Sequence, residues 1–505
     1  MINISPSFNF FKKNFDTKKK NQLVWKTFKS DLDTPVSAYL KLCQNLKEQN
    51  CFLLESVQDG SYRGRYSIIG MMPDLIWKSK KNKSYIKEIF VENLFFDTKK
   101  PPLESLEGII EKSKVDFPSF LPPMSTALIG YLGYETIEQF ESMPQRKNSE
   151  LILPDGYFIR PTIMAIFDNL KNQLTITSPS WYRKDLVLKK EYTNKLKLIE
   201  KIRLYLNQPI KIKHTNKNTT SSVKPYSNIQ KSSFYKMIQK AKSHIYDGEI
   251  FQVVLSQRFK SQFNLPPFEL YRSLRSLNPS PFLFYLDFSD DEFGSFALVG
   301  SSPEILIKLE KNKVTIRPIA GTRARGRNTK EDAKNKKDLL SDPKELSEHL
   351  MLLDLGRNDV GRVSKSGTVK VTDKMLVEYY SHVMHIVSNV EGRIKNRKNI
   401  LKILMSGFPA GTVSGAPKIR AMEIINDLEP ENRGIYAGCV GYFSGNGDME
   451  TCIVLRTAIL KDKKMYVQAG AGIVADSLPD KEYEETINKA KALFKAAEDA
   501  YNKEV

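Results

Sequence analysis

Cysteine, tryptophan and histidine are scarce in this 505-residue chain, at four, three and five residues. The four cysteines, Cys43, Cys51, Cys439 and Cys452, contain no CxxC pair, which excludes a disulfide framework or a zinc ribbon and points to a reducing compartment. They read as small core residues. No segment approaches the roughly 18 to 20 uninterrupted apolar residues of a membrane span. The N-terminal stretch MINISPSFNFFKKNFDTKKK lacks an apolar run with a small-residue cleavage site, so a soluble cytoplasmic protein with no membrane partner is expected. With 41% hydrophobic residues the chain is globular and long enough for two or three domains.

Negative charge is also in deficit. The chain has 58 Asp and Glu against 78 Lys and Arg, a net charge of +20. Residues 1–227 carry 36 basic and 23 acidic residues, and residues 228–505 carry 42 and 35, so the excess lies mainly in the first part. The basic residues are mostly lysine, in stretches such as KSKKNK without interleaved aromatic side chains, a pattern that favours a solvated surface and no nucleic-acid partner.

Short apolar runs alternate with turn signals from Trp25 to Ser178, and residues 185–206 have the spacing of an amphipathic helix. The polar stretch at about 207–228 has no acidic residue and reads as a linker, dividing residues 1–225 from a second domain at 228–505. Strand-like runs recur in the second part, with helical segments near 330–356, 398–405 and 479–502. The expected class is α+β: mixed α/β with large, mostly antiparallel sheets packed as a sandwich and flanked by helices.

Two helical segments carry carboxylates three residues apart. Asp342 and Pro343 suit the N-cap and first position of a helix that sets Glu345 and Glu348 on one face. In the last helix Glu482, Glu485 and Lys489 form one stripe, with Ser477 or Asp480 as cap. Taken singly, each pair reads as a solvated helix face. If the two helices face each other, four carboxylates converge, and they stay ionised only around a cation, for which Mg2+ fits best. Two glycine-rich stretches are rejected as nucleotide loops: AGAGIVA is not followed directly by a helix, and GTVSGAPK has a proline before its lysine and no Ser or Thr after it.

In order along the chain, Glu304 in SSPE, PIAGTRARG, ELSEHLMLLDLGRNDVGRV, SHVMHIVSNVEG, FPAGTVSGAPKIRAMEII, YAGCVGYFSGNGDMETCIVLRT and QAGAGIVADSLPDKEYEETINKA resemble the chorismate-utilising enzymes, most closely the anthranilate synthase large subunits. LLES, RYSIIG and IGYLGYE extend the resemblance into the first part. The resemblance implies that Glu348 and Glu485 ligate Mg2+, with Glu345 and Glu482 in support through water. It implies that Arg456, Tyr436 and the backbone of Gly470, Ala471 and Gly472 bind one carboxylate of chorismate, and that Gly321, Thr322 and Lys489 hold the other. Glu304 is implied as the acid for the departing hydroxyl and His385 as the residue of the later lyase step; alone, a histidine in an apolar run reads as core, as does the neighbouring His382.

Gln252 stands where relatives that add water carry a lysine, and Ala320 where many aminodeoxychorismate synthases carry a nucleophilic lysine, so ammonia addition and anthranilate are implied, with aminodeoxychorismate synthase component I as the alternative. No cysteine lies in a GxCxG turn, so ammonia is expected from a separate glutamine amidotransferase subunit in a hetero-oligomer such as a heterotetramer. Glu55 and Ser56, with Asn278, Pro279, Ser280, Pro281, Phe282 and Leu283, resemble the family's tryptophan feedback site. DLGRND, with Asp354, Arg357, Asn358 and Asp359, reads as helix-end and structural pairing.

Overall fold

A computed structural model describes residues 4–47, 49–58, 62–210, 223–380 and 383–502. Residues 211–222 of the expected linker, and His382, lie outside the described residues.

Two long strands, Tyr66–Lys80 and Gly156–Asp168, organise the fold by pairing with each other along nearly their whole length. Their register shifts between Arg160 and Pro161, where Pro161 lies opposite Pro73 and neither proline offers an N–H to the ladder. Either side of the shift the strands take different neighbours. Residues 156–159 pair with Ala127–Leu132, whereas residues 164–168 pair with Gln173–Ser180. Residues 75–80 pair with Lys83–Glu88, whereas 68–70 pair with Cys51–Glu55. The two strands thus turn a corner shared by two sheets.

The first sheet continues from Cys51–Glu55 through Phe282–Asp290, Gly294–Ser302, Thr457–Lys461 and Lys464–Ile473 to Gln252–Gln262. The second runs from Ala127–Leu132 through Cys439–Ser444, Met449–Ile453, Ile305–Glu310 and Lys313–Ile316 to Val383–Arg393, where Ile319–Ala324 also joins. Strands from before and after residue 225 are therefore neighbours in both sheets.

Strand alternation shows which face meets which layer. Phe284, Leu286 and Phe288 meet Ile129 and Tyr131 of the second sheet in an interior cluster, while Leu283 and Tyr285 turn to the opposite face. That opposite face of the first sheet is covered by helices Phe8–Lys18, Pro35–Leu46, Leu188–Leu206, Pro267–Leu277 and Pro479–Asn502. The outer face of the second sheet is covered by Pro102–Lys112, Pro343–Val363 and Ile400–Ser406. The result is the expected helix-flanked sandwich of antiparallel sheets. No helix among the described residues is long and apolar enough to cross a membrane.

Local signals act as read. Asp342 caps the 343–363 helix by accepting from the N–H groups of Lys344 and Glu345, with Pro343 in its first turn. The helix runs on to Val363, so DLGRND lies within it and not at its end; Arg357 pairs with Asp354 at 2.8 Å and Asp359 with Lys418 at 3.0 Å.

The aromatic filling joins the two parts of the chain. The Phe288 ring centroid lies 4.7 Å from that of Tyr157 and 5.6 Å from that of Phe296. Phe288→Ala is expected to cost about 3–5 kcal/mol and, because its partners come from both parts, to lower the urea midpoint in one transition. Two separated transitions would show that the parts unfold independently.

Candidate active site

Glu304 lies between the Gly294–Ser302 strand of the first sheet and the Ile305–Glu310 strand of the second, where the chain crosses the sandwich. Its carboxyl is buried, and the Thr412 hydroxyl reaches both oxygens at 3.0 and 3.1 Å. Burial pushes its pKa up to about 8, against the opposing pull of Thr412, Arg456 and Lys489. The group is therefore protonated at neutral pH and can donate.

His385 lies on the 383–393 strand opposite Thr322. Its Nδ1 is 3.0 Å from both the Gly321 carbonyl and the Thr322 hydroxyl. A carbonyl only accepts, so Nδ1 carries the proton and Nε2 is left with a lone pair. Burial lowers the pKa to about 4, which keeps the ring neutral. The Tyr380 ring meets it edge-on, with centroids 5.4 Å apart. Arg456 has a left-handed backbone, φ 49°, and burial lowers its pKa while the charges of Tyr380 and Glu304 oppose that shift. Its guanidinium forms no hydrogen bond or ion pair among the described residues.

The two carboxylate-bearing helices do face each other. Glu348 has its pKa raised first by burial and then by the charges of Glu345 and Glu485. Glu482 is raised by burial and by Glu485, with Ser477 hydrogen-bonded to it. Each remaining carboxylate has a cationic partner: Glu345 takes Arg323 at 2.9 Å, and Glu485 takes Lys489 at 2.6 Å. The Gln252 amide reaches Glu348 at 3.3 Å, while its own Oε1 is buried without a partner. No three Asp, Glu, His or Cys side chains are already gathered as a metal cage among the described residues. An all-oxygen donor set in which Glu345 and Glu485 raise the pKa of Glu348, and Glu485 that of Glu482, fits a hard ion that keeps several waters, as Mg2+ does, and Glu485 can ligate directly once it leaves Lys489.

Lys489 links the two groups. Its ammonium donates to the Gly470 carbonyl at 2.9 Å, and its charge is felt at Glu304, His385 and Glu348. On the 464–473 strand Gly470 and Gly472 face the site, while alternation puts the buried Ala471 on the side of Met465, Val467 and Ala469, which face the helix-covered core, so Ala471 offers only backbone. A Cβ at Gly472 would come within 2.5 Å of the Gln252 amide, and one at Gly470 within 2.9 Å of the Tyr436 hydroxyl. Burial pushes the Tyr436 phenol up to about 12. The structure thus gathers Gln252, Glu304, Gly321, Thr322, Glu345, Glu348, His385, Tyr436, Arg456, Gly470, Gly472, Glu482, Glu485 and Lys489 in one region. The sequence reading missed Thr412, Tyr380 and Arg323; a lone Thr, Tyr or Arg in these segments carries no local signal of what it touches.

The expected tryptophan residues divide. Ser56, Pro281, Phe282 and Leu283 line a cavity of about 680 Å³ between the sheets. Glu55 also borders it, but its carboxylate is held by Arg275, at 2.5 and 3.0 Å, and by the Tyr271 hydroxyl at 2.7 Å. Asn278, Pro279 and Ser280 lie off this wall, with Asn278 and Ser280 bound to Ser301 and Ser302.

Sequence and structure comparisons define the class of protein. The profile of the chorismate binding enzyme family matches residues 50–495, and the chain belongs to that family. More particularly, it is 48% identical to anthranilate synthase component 1 of Cereibacter sphaeroides over 98% of each chain. It is 44% identical to the protein of that name from Aquifex aeolicus over 93% of each. The crystal structure of anthranilate synthase component I from Streptococcus pneumoniae superposes with a TM-score of 0.72 at 37% identity, covering 85% of this chain and 92% of that one. The menaquinone-specific isochorismate synthase of Escherichia coli, at 19% identity and a TM-score of 0.69, covering 98% of this chain and 96% of that one, shares the fold.

A buried acid of raised pKa predicts a pH signature. Native Glu304 keeps its proton to about pH 8, whereas the unfolded carboxyl loses it near the ordinary value of 4.5. Between these values the native state binds more protons, so its stability falls as pH rises through this window and levels off above about 8. Glu304→Gln lacks this term. Urea midpoints of native and variant proteins from pH 5 to 9 should shift in the variant's favour, and parallel curves would show that Glu304 is ionised in the folded protein.

Proposed function

We propose that this chain is the large subunit of an anthranilate synthase, converting chorismate and ammonia to anthranilate and pyruvate by way of aminodeoxyisochorismate. The observation that carries the reading is a buried, protonated carboxyl beside a neutral imidazole and an unpaired guanidinium in one site. Arg456 offers a two-pronged donor to the pyruvyl carboxylate, aided by the Tyr436 hydroxyl and the glycine backbone. Lys489, Gly321 and Thr322 face the ring carboxylate.

As ammonia forms a bond to C2, the C4–O bond breaks, and Glu304 delivers its proton to the departing oxygen so that water leaves instead of hydroxide. In the second step the free Nε2 of His385 takes the C2 proton while the C3–O bond breaks, and the released enolpyruvate becomes pyruvate on protonation. Gln252 cannot act as the base that would activate water, which favours ammonia; its unpartnered Oε1 can accept an N–H. Bound Mg2+ supplies positive charge to the ring carboxylate, with Glu348 and Glu485 to hold it and Glu345 and Glu482 to support it through water. Ammonia comes from a separate glutamine amidotransferase subunit, and the cytoplasm is the fitting compartment.

Incubation of the chain with chorismate, ammonium and Mg2+ should yield fluorescent anthranilate. EDTA should abolish the reaction, and Glu348→Ala should lower it by a factor of about 10² or more. Activity that survives both treatments removes the metal from the mechanism. Aminodeoxychorismate as the product, by mass, moves the chain to its folate-pathway counterpart.

Tryptophan fits the 680 Å³ cavity in size, bordered as it is by Ser56 and Pro281–Phe284. It should inhibit the native chain, and Ser56→Phe, which fills the wall, should relieve inhibition at least tenfold in IC50, about 1.4 kcal/mol. Unchanged inhibition places the effector elsewhere.

A further inference from the structure

Part of the basic excess of residues 1–227 lies around one cavity. A cavity of about 840 Å³, bordered by no residue of the active site, is walled by seven Lys or Arg and four Asp or Glu. Several of these charges neutralise each other: Arg160 with Asp74 at 2.7 Å, Lys20 with Asp116 at 2.5 Å and Lys195 with Glu191 at 3.6 Å. Lys114 pairs outside the cavity with Glu111. Lys19, Lys112 and Arg183 remain without an ion pair among the described residues, as does one carboxylate, Glu88.

The segments bearing these three free cations are tied together. The Asn21 amide donates to the carbonyls of Lys112 and Lys114, each at 2.8 Å, and its oxygen accepts the Tyr182 N–H at 2.8 Å. One side chain therefore locks the end of the 102–112 helix and the 181–183 segment to its own loop, next to Lys19. The aromatic wall is equally held. The Trp181 N–H bonds to Asp74, and the Arg160 guanidinium lies 4.2 Å from the Trp181 ring centroid. The Trp181 indole, with Arg160 on one face and partly packed against Leu23, Trp25, Val115 and Leu121, still borders the cavity beside three unpaired cations, which suits a planar ring that carries a dianion, whereas the Tyr182 ring is packed on Phe15, 5.1 Å between centroids.

We propose that this cavity is a second ligand site, for a small phosphorylated aromatic molecule whose ring lies against Trp181 and whose phosphate is held by Lys19, Lys112 and Arg183. The size lies within the range of small-molecule pockets. The Asn21 lock means that the cations need little ordering when the ligand arrives. The site stands apart from the chorismate reading and does not depend on it.

The chain contains a built-in reporter, because Trp25 and Trp77 are buried and Trp181 is the partly exposed tryptophan. Phenyl phosphate is the probe, with inorganic phosphate and benzyl alcohol as the charge-only and ring-only arms, each titrated into the full chain at about 0.15 M salt. Tryptophan fluorescence should change saturably with phenyl phosphate. By calorimetry, inorganic phosphate and the double variant K112E/R183E should each bind about tenfold more weakly or worse, and Trp181→Leu should lose the preference for phenyl phosphate over phosphate. K112E/R183E should keep the circular-dichroism spectrum and urea midpoint of the native chain, which shows that it is folded. Titrations that do not saturate, equal binding of phosphate and phenyl phosphate, or unchanged affinity in K112E/R183E would each overturn the proposal.

Discussion

A buried ion pair holds the catalytic region together. Arg433 and Glu429 are almost completely buried and meet at 2.6 and 2.9 Å. Glu429 also accepts the N–H and hydroxyl of Ser256, and Arg433 donates to the carbonyls of Val254 and Val413. Its guanidinium lies 5.0 Å from the Tyr134 ring centroid and 5.5 Å from that of Tyr436. Val254 is two residues from Gln252, Val413 follows Thr412, and Tyr436 touches Gly470. A pair of this kind adds little net stability, since desolvation offsets most of its attraction, but it tolerates few alternative arrangements. Its effect is positional: the Gln252 amide, the Thr412 hydroxyl on Glu304 and the Tyr436 hydroxyl are referred to one buried point.

Around that point the site balances charge locally. Lys489 is hydrogen-bonded to Gly470 and paired with Glu485, and it opposes the raised pKa of Glu304 and Glu348. Arg323 spreads over Asp338, Asp342 and Glu345, so the first turn of the carboxylate helix is tethered to the strand bearing Thr322. Arg456 is left as a cation with no anion bonded to it among the described residues. A small dicarboxylate needs only such placed charges, which is why the modest excess of residues 228–505 suffices and the net charge of +20 says little about catalysis.

What could be read from the sequence was whatever is encoded locally. The Asp342–Pro343 cap, the carboxylate stripes and the 185–206 helix follow from spacing and residue type, and all three are present. The sandwich class followed from the density of short apolar runs. The corner at Arg160–Pro161 was not legible, nor was the pairing of Cys51–Glu55 with Phe282–Asp290, because strand partners so far apart in the chain, Pro73 with Pro161 and Glu55 with Leu283, leave no periodic trace. The helical segment was placed only to about 356, with DLGRND as its end, whereas the helix continues to Val363. Gly356 is buried within the helix, where even a Cβ would meet Pro318 only at an ordinary 3.5 Å, so its low helix propensity does not end the element. The site residues came from ordered motifs that resemble a family. Their contacts, such as Thr412 on Glu304, required the fold.

The same topology brings the inter-sheet cavity close to the chemistry. Its wall includes Pro303 and Ile305, the two neighbours of Glu304, and Tyr380, whose ring meets His385. On its other side are Ser56 and Pro281–Phe284, on strands paired in register through Leu283 and Glu55. A molecule filling this space would touch both sheets where the chain crosses between them, and Glu304 sits in that crossing. Closely packed interiors transmit such displacements because they have little free volume to absorb them. A shift of a few tenths of an ångström in the 302–305 turn would alter the Thr412 contact that opposes the pull of burial on Glu304. Regulation from this cavity would then require no relay of distant residues; the acid's own chain neighbours form its wall.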